Sequence, residues 1–258
     1  MLPLSNSDLQ YSPCTSSLQS LPSEILVNVF IFAQTPTLAC SCRAFLHSCQ
    51  SPSVKAAFLL QRYGTPTLAL MHGVFWRFFS LNVLVQLDKH HIENQKKRKS
   101  RKRAPQKRSY RKLAYKDESI PDWTLKASPD LVQELVNRGA RIDERCLNKA
   151  VKYGHASLVQ IFMSRGVSPV TLNQLALLYA IRGATADLPG SNDVLDHLLR
   201  KYPSSCLLPG LKFAIKLQNW SVVEQLLRTG AVPDVNCLSM LDKENEVHPI
   251  LSSRAALP

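Results

Sequence analysis

Apolar residues recur at helical spacing along most of the chain and predict an all-α protein. They form two helical regions, which a strongly basic tract separates. The first helix is predicted over residues 21–32 and is apolar on nearly every side. A helix that is hydrophobic all round must be covered all round, and a unit of about 40 residues seldom has a self-sufficient core. We therefore expect another protein to cover part of this helix.

Two shorter helices follow the first. Pro36 ends the first helix, and Ser51-Pro52 predicts a cap and a first-turn proline for the third. The second helix is amphipathic, because its apolar residues share one face: Leu38, Cys42, Phe45, Leu46 and Cys49. Residues 20–64 thus predict a three-helix unit. A flexible leader over residues 1–19, rich in Ser, Pro and Gln, precedes this unit.

The residue order in this unit resembles an F-box, the motif through which substrate receptors dock on the Skp-type adaptor of cullin-RING ubiquitin ligases. Three elements carry the resemblance: Leu21-Pro22-Ser23-Glu24-Ile25-Leu26, Cys42-Arg43-Ala44-Phe45 and Arg62-Tyr63-Gly64. The resemblance implies that the adaptor contacts six residues of the first helix: Leu21, Pro22, Ile25, Leu26, Val29 and Phe30. The residues alone leave a second interpretation open, a plain three-helix subdomain whose first helix is buried inside this same chain.

The segment after the three-helix unit contains the most apolar run of the chain, over residues 68–87. This run is long enough to cross a bilayer. Arg77 lies at its midpoint, however, and a central arginine costs about 2.5 to 3.5 kcal/mol on the insertion scale. We therefore expect no membrane span. Residues 65–92 are predicted to be connecting helices, broken near residues 80–82.

A tract over residues 96–112 carries eleven basic residues, against a net charge of +13 for the whole chain. Like charges without apolar periodicity favour disorder, so residues 93–122 are predicted to be a disordered linker or insertion. The tract resembles a nuclear-import signal, carried by Lys96, Lys97, Arg98, Lys99, Arg101, Lys102, Arg103, Lys107 and Arg108. An import receptor is then a partner, and the protein is expected in the nucleus, the cytoplasm or both. Sequence-blind binding of nucleic-acid phosphates and a solvated spacer are the two other interpretations.

From residue 123 onward one helical pattern repeats. It covers residues 130–140, 157–167 and 221–231, with a weaker copy at residues 193–202. Each copy has apolar pairs four residues apart, and the three strong copies end on Gly139, Gly166 and Gly230, which predicts helices with left-handed stops. Shorter helices precede three of the copies. Each unit is therefore a helical hairpin, and hairpins that cannot bury their faces alone must stack.

These hairpins resemble ankyrin repeats, most clearly at Ala150-Val151-Lys152-Tyr153-Gly154-His155-Ala156-Ser157-Leu158-Val159. The resemblance covers residues 123–235, and a capping helix and tail follow over residues 236–258. The copies are 27, 36 and 28 residues apart, so short or absent β-turn fingers and irregular stacking are expected. A generic α-solenoid remains the alternative. Candidate substrate-binding residues lie at loop and turn positions: Arg141, Tyr153, His155, Arg182 and Trp220.

No group of residues predicts catalysis or a cofactor. The chain has no phosphate-binding glycine loop and no nucleophile elbow. Cys40, Cys42, His47 and Cys49 have the residue types of a zinc site, but Cys42 and Cys49 lie on an apolar helix face and no second Cys-x-x-Cys completes a tetrahedron. Seven cysteines in a chain of 258 residues do not form a disulfide framework. We expect no enzymatic activity, no cofactor and no metal.

The sequence therefore predicts an all-α adaptor with an N-terminal three-helix F-box-like unit followed by an ankyrin-like α-solenoid. The resemblances imply a substrate-recognition subunit of an SCF-type (cullin-RING) ubiquitin ligase. It would dock on the Skp-type adaptor through the first unit and on an unknown protein substrate through the repeats. Two alternatives are an ankyrin-type interaction scaffold without a ligase role, and a nuclear nucleic-acid-associated protein that uses the basic tract.

Overall fold

The computed structural model of the chain describes residues 21–40, 43–100, 112–170 and 174–240. Over these residues the prediction of an all-α fold is confirmed, since they form fourteen α-helices and no β-strand. The predicted leader and the tail beyond residue 240 lie outside the described residues.

The chain divides into two compact units, Met1–Leu113 and Ala114–Pro258. The first unit contains five α-helices within its described residues, with a short 3-10 helix over Pro36–Cys40 between the first two. The α-helices are α1 (Ser23–Ala33), α2 (Arg43–Cys49), α3 (Pro52–Tyr63), α4 (Pro66–Gly73) and α5 (Leu81–Ser100).

Helix α3 is the centre of the first unit and packs against α1, α4 and α5. Its side chain Phe58 is fully buried and stacks on Phe30 of α1, with ring centroids 4.8 Å apart. Trp76 and Phe78, which follow α4, meet the same Phe58 ring edge-on at 6.4 and 5.8 Å. An aromatic cluster therefore ties three parts of the unit together.

The connecting segment differs from the prediction in where its two helices separate. The break covers residues 74–80, not 80–82, and α5 begins at Leu81. Two contacts explain this. Trp76 and Phe78 turn back onto Phe58, and the Ser80 hydroxyl accepts the Val83 N–H at 3.4 Å in the manner of a helix cap. The second helix also starts later than its apolar pattern indicates, because Leu38 lies in the 3-10 helix.

The segment predicted as a disordered linker over residues 93–122 is structured at both ends. Helix α5 continues to Ser100, because glutamine, glutamate and lysine are good helix formers that need no burial. At the other end Leu113 and Tyr115 are buried, and Asp88 accepts the Leu113 N–H at 3.1 Å. Residues 101–111 lie outside the described residues. Across the described residues, no helix has both the length and the apolar character needed to cross a membrane.

The second unit is a stack of helical hairpins. Its described residues form α6 (Asp122–Ala127), α7 (Pro129–Asn137), α8 (Glu144–Lys152), α9 (Ala156–Ser164), α10 (Leu175–Thr185), α11 (Ser191–Leu199), α12 (Leu208–Lys216), α13 (Trp220–Arg228) and α14 (Val235–Ser239), with a 3-10 turn over Ser204–Cys206. Four consecutive pairs, from α6–α7 to α12–α13, pack as hairpins. Helices α6, α8, α10, α12 and α14 each pack on the next and make the first row. Helices α7, α9, α11 and α13 make the second row.

The left-handed helix stops predicted at Gly139, Gly166 and Gly230 are confirmed. Their φ angles are 99°, 92° and 100°, and the residue after each glycine donates its N–H to a carbonyl five residues back. The weaker copy has Tyr202 at this position. There the helix α11 ends without a left-handed residue, and the buried Tyr202 hydroxyl donates to the Pro169 carbonyl oxygen instead.

Extended pairing in the second unit is limited to one place within the described residues. Residues 114–121 run alongside the loop after α7, where Tyr115 N–H donates to the Arg138 carbonyl oxygen at 3.0 Å. A single parallel bridge joins Ser119 and Arg141. Short or absent β-turn fingers were expected from the irregular spacing of the copies, and this isolated bridge is the extended pairing that the described residues contain.

Candidate functional sites

Helix α1 has one buried face and one exposed face. Leu26 and Phe30 are only 2% and 3% exposed and belong to the core of the first unit. Ile25, Val29 and Phe32 are 45%, 37% and 68% exposed. Spacings of four and three residues place these three side chains on one side of the helix. We call them the open stripe of α1.

Local sequence explains why the stripe is presented in this way. Pro22 precedes the first helical residue and Glu24 lies in the first turn, where the helix dipole favours negative charge. At the other end Gln34 has a left-handed φ of 55°, and Arg62 donates to the Gln34 carbonyl oxygen at 2.7 Å. The C-terminal end of helix α1 is therefore hydrogen-bonded to α3, which fixes the position of the helix that carries the stripe.

The six residues implied to meet an adaptor are divided between the two faces of α1. Pro22, Ile25 and Val29 are exposed, and Leu21 is half-buried. Leu26 and Phe30 lie on the buried face of α1 and offer little surface to a partner. Phe32 was not among the six, although it is the most exposed large apolar side chain of the helix. Its spacing of seven residues from Ile25 was the signal that places it on the same face.

A cavity of about 740 Å³ lies beside α1 in the first unit. It is mostly apolar and is lined by residues that include Phe30, Pro36, Leu46, Cys49, Phe75 and Trp76. The Trp76 side chain in its lining is held in position by a hydrogen bond, which Trp76 Nε1 donates to the Tyr63 hydroxyl at 3.0 Å. Leu46 and Phe75 at its edge are 44% and 52% exposed. The first unit therefore offers apolar surface in the cavity as well as on the stripe.

The lining of this cavity includes one thiol, that of Cys49. Burial raises the pKa of the Cys49 thiol to about 11 and outweighs the opposite effect of the nearby Lys55 charge. The thiol is therefore protonated at neutral pH and is a poor nucleophile. Throughout the described residues, no three His, Cys, Asp or Glu side chains lie close enough to share a metal ion.

The structure separates the five candidate substrate-binding residues into two groups. Tyr153 and His155 lie in the α8–α9 turn with ring centroids 6.3 Å apart, and Arg182 and Trp220 lie near the α10–α11 and α12–α13 turns. These hairpin turns lie at the same end of the stack, since Gly154 of the α8–α9 turn packs on Gly190 of the α10–α11 turn, and the Asn219 amide before α13 donates to the Thr185 hydroxyl at the end of α10 at 3.1 Å. Arg141 follows α7 and lies at the opposite end.

A row of four exposed cations crosses the same end of the stack. Each cation directly follows the last buried pair of its helix in the first row, and the four are Lys126, Lys152, Arg182 and Lys216. We call them the cation row. Only Arg182 was among the predicted residues. The missed signal was the repeated tripeptide Ala-Val-Lys, Ala-Ile-Arg and Ala-Ile-Lys, which ends on residues 152, 182 and 216.

The basic tract is only partly described. Lys96 and Lys97 are exposed in the last turns of α5. The side chains of Arg98 and Lys99, and residues Arg101, Lys102, Arg103, Lys107 and Arg108, lie outside the described residues.

In comparisons with known proteins, no protein-family model matches the chain, and neither a curated protein nor a solved structure matches it significantly.

Proposed function

We propose that this protein is a substrate-recognition subunit of an SCF-type ubiquitin ligase that docks on a Skp-type adaptor through the open stripe of α1. The observation that carries the proposal is the exposure of Ile25, Val29 and Phe32 on a helix whose other face is core. Exposed apolar residues that form a continuous patch mark sites of protein association. The Leu-Pro-Ser-Glu-Ile-Leu order around this stripe supports an adaptor as the partner.

Burial of the stripe would contribute to the free energy of docking. Fully covering one valine, isoleucine or phenylalanine side chain contributes about 1.5 to 3 kcal/mol relative to leaving it exposed. Ile25, Val29 and Phe32 are already partly covered, so each contributes a fraction of that value. Three such side chains on one rigid helix provide the central apolar anchors that protein interfaces need.

The function that follows is to bring two proteins together. The first unit would hold the ligase adaptor and the second unit would hold a substrate, whose lysines then lie near the charged ubiquitin-conjugating enzyme. Holding the reactants together converts an encounter between free molecules into a step within one complex. In our proposal this protein acts by binding, and none of its described residues serves as a nucleophile or base in the ubiquitin transfer.

Copurification tests this proposal. The full chain is expressed with a Skp-type adaptor and a cullin, as wild type and as Ile25→Asp/Val29→Asp. We expect adaptor recovery to fall at least tenfold, because two charges would have to be buried in an apolar interface. Gln61→Asp/Asn82→Asp is the matched control, since both side chains are exposed on other helices of the first unit, α3 and α5.

Circular dichroism and thermal unfolding show whether the variants remain folded. Equal adaptor recovery by the wild type and by Ile25→Asp/Val29→Asp would exclude the stripe as the docking site. Absence of adaptor from the wild-type sample would favour the interaction scaffold without a ligase role.

We also propose that the basic tract directs nuclear import, since Lys96 and Lys97 are exposed at the end of α5. A reporter fused to residues 94–114 is expected to accumulate in the nucleus. The same fusion with Lys96, Lys97, Arg98 and Lys99 changed to Gln is the control. A reporter that stays in the cytoplasm would contradict the proposal.

A further inference from the structure

The first row of the hairpin stack is basic, whereas the second row is close to neutral. Helices α6, α8, α10 and α12 of the first row contain seven Lys or Arg and two Asp or Glu, a net charge of +5. Helices α7, α9, α11 and α13 of the second row contain one Arg and five Asp or Glu, and Arg138, Arg165 and Arg200 directly follow three of them, which gives a net charge of −1. The basic residues of the first row come together only in the stack, because the chain alternates between the two rows at every hairpin turn.

The cation row is the part of the first row that remains available to a partner. Its members Lys126, Lys152, Arg182 and Lys216 are exposed, and none has a carboxylate within ion-pair distance in the described residues. Lys149 and Lys212, by contrast, pair with Asp122 and Asp234. The second acidic residue of the first row, Glu144, begins α8 at the end opposite to Lys152.

Spacing along the row favours an extended chain as the ligand. Packed helices lie about 8 to 10 Å apart, so the helices that carry successive cations of the row are separated by about that distance. An extended peptide in the polyproline II conformation advances about 3.1 Å per residue and returns to the same face every third residue. A carboxylate at every third position would therefore match one cation of the row on each helix.

Aromatic side chains lie beside the cations and provide the apolar part of the surface. Trp123, Tyr179 and Phe213 each lie three residues before a cation of the row and are half-buried. The Lys152 ammonium lies 5.9 Å from the centre of the Tyr179 ring. This distance is within reach of a cation–π interaction between neighbouring helices of the first row.

We propose that the cation row binds an extended acidic segment of a partner protein, with a carboxylate at about every third residue. The proposal deepens the proposed function, since the segment would belong to the substrate, and it rests on that function for the partner's role. Charge complementarity is the argument for this occupant. A purely local role is the competing explanation, because cations at helix C-termini also stabilise their own helices through the dipole.

Fluorescence anisotropy with a labelled (Glu-Pro-Ala)4 peptide tests the proposal. A peptide of the same composition with its four glutamates adjacent is the spacing control. Every measurement uses the full chain. We expect the spaced peptide to bind at least fivefold more tightly than the clustered one, and Lys126→Ala/Lys152→Ala/Arg182→Ala/Lys216→Ala to weaken its binding at least tenfold.

Two further variants identify where the peptide binds. Arg165→Ala/Arg200→Ala/Lys201→Ala/Arg228→Ala removes four exposed charges outside the cation row, and it is expected to bind like the wild type. Replacing Lys96, Lys97, Arg98 and Lys99 with Gln is also expected to leave binding unchanged. Equal loss in all the quadruple variants would mean attraction to net charge alone and would overturn the proposal.

A labelled dT12 oligonucleotide supplies the last comparison. Tighter binding of dT12 than of the peptide, dependent on the cation row, would assign the surface to nucleic acid and overturn the proposal. Absence of peptide binding would leave the row with its local helix-stabilising role. Failure of this proposal can be distinguished from failure of the proposed function. Ile25→Asp/Val29→Asp should lose adaptor binding and keep peptide binding. The cation-row variant should lose peptide binding and keep adaptor binding.

Discussion

Gly154 and Gly190 meet backbone to backbone where the α8–α9 turn packs against the α10–α11 turn. A β-carbon at Gly190 would lie 2.5 Å from the carbonyl oxygen of Gly154, and one at Gly154 would lie 2.4 Å from the carbonyl oxygen of Pro189. Both glycines also have left-handed backbones, with φ angles of 75° at Gly190 and 72° at Gly154. Neighbouring hairpins therefore come closer here than residues with side chains would permit.

Gly154→Ala is expected to destabilise the second unit by roughly 3 kcal/mol. The left-handed backbone alone costs an alanine about 1 to 2 kcal/mol, and the clash is with a backbone oxygen that has little freedom to move. Urea denaturation measures the loss. Gly166→Ala is the matched control, because Gly166 has a φ of 92° with no atom within 4 Å of an added β-carbon. It should lose only about 1 to 2 kcal/mol, and equal losses would contradict the role of close packing.

The two faces of α1 should separate stability from binding. Phe30→Ala is expected to cost about 3 to 5 kcal/mol because it empties a core position and removes the stack on Phe58. Phe32→Ala should change stability by less than about 0.5 kcal/mol because Phe32 is 68% exposed. In the copurification assay Phe32→Ala should nevertheless lower adaptor recovery. A large stability loss from Phe32→Ala would show that this side chain is needed for folding.

Stability of the second unit should fall at alkaline pH. Burial, with a smaller effect of the Glu118 charge, raises the pKa of Tyr115 to about 12, whereas an unfolded tyrosine ionises near about pH 10. The stabilising contribution is therefore complete below pH 10 and is lost as the pH rises from about 10 to about 12. At pH 11 the loss should be roughly 1 kcal/mol.

Urea unfolding at pH 9, 10 and 11 checks this expectation, with Tyr115→Phe as the comparison. The variant lacks the bond from the Tyr115 hydroxyl to the Ser119 carbonyl oxygen, 2.9 Å long, so it should be less stable than the wild type at pH 9. Its stability should then fall less steeply with pH. Identical pH dependence in the two proteins would show that Tyr115 does not contribute to the alkaline loss.

The cysteines of the described residues should differ sharply in reactivity. Burial raises the pKa of Cys49 and of Cys146 to about 11, and only the thiolate is nucleophilic. Cys206 is half-exposed. With iodoacetamide at pH 8, we expect Cys206 to be modified at least tenfold faster than Cys49 and Cys146, and urea should remove the difference. Site-resolved mass spectrometry gives the three rates, and similar rates in the native protein would contradict the burial of the two thiols.

The sequence by itself determined the features that depend on near neighbours in the chain. Apolar spacing set the helices of the hairpins, and the left-handed stops at Gly139, Gly166 and Gly230 followed from a single residue type, because only glycine adopts a φ near 100° without strain. The apolar character of α1 likewise indicated more surface than two short helices would cover. These are local properties, and a periodicity of 3.6 residues expresses them directly.

Only the tertiary structure decided which surfaces remain open. Leu26 and Ile25 are adjacent and similarly apolar, yet Leu26 is 2% exposed and Ile25 is 45% exposed. The cation row is separated in sequence by intervals of about 30 residues and becomes one surface only when the hairpins stack. Exposure and alignment depend on partners that are distant in the chain, and one-dimensional periodicity carries no information about which elements pack together.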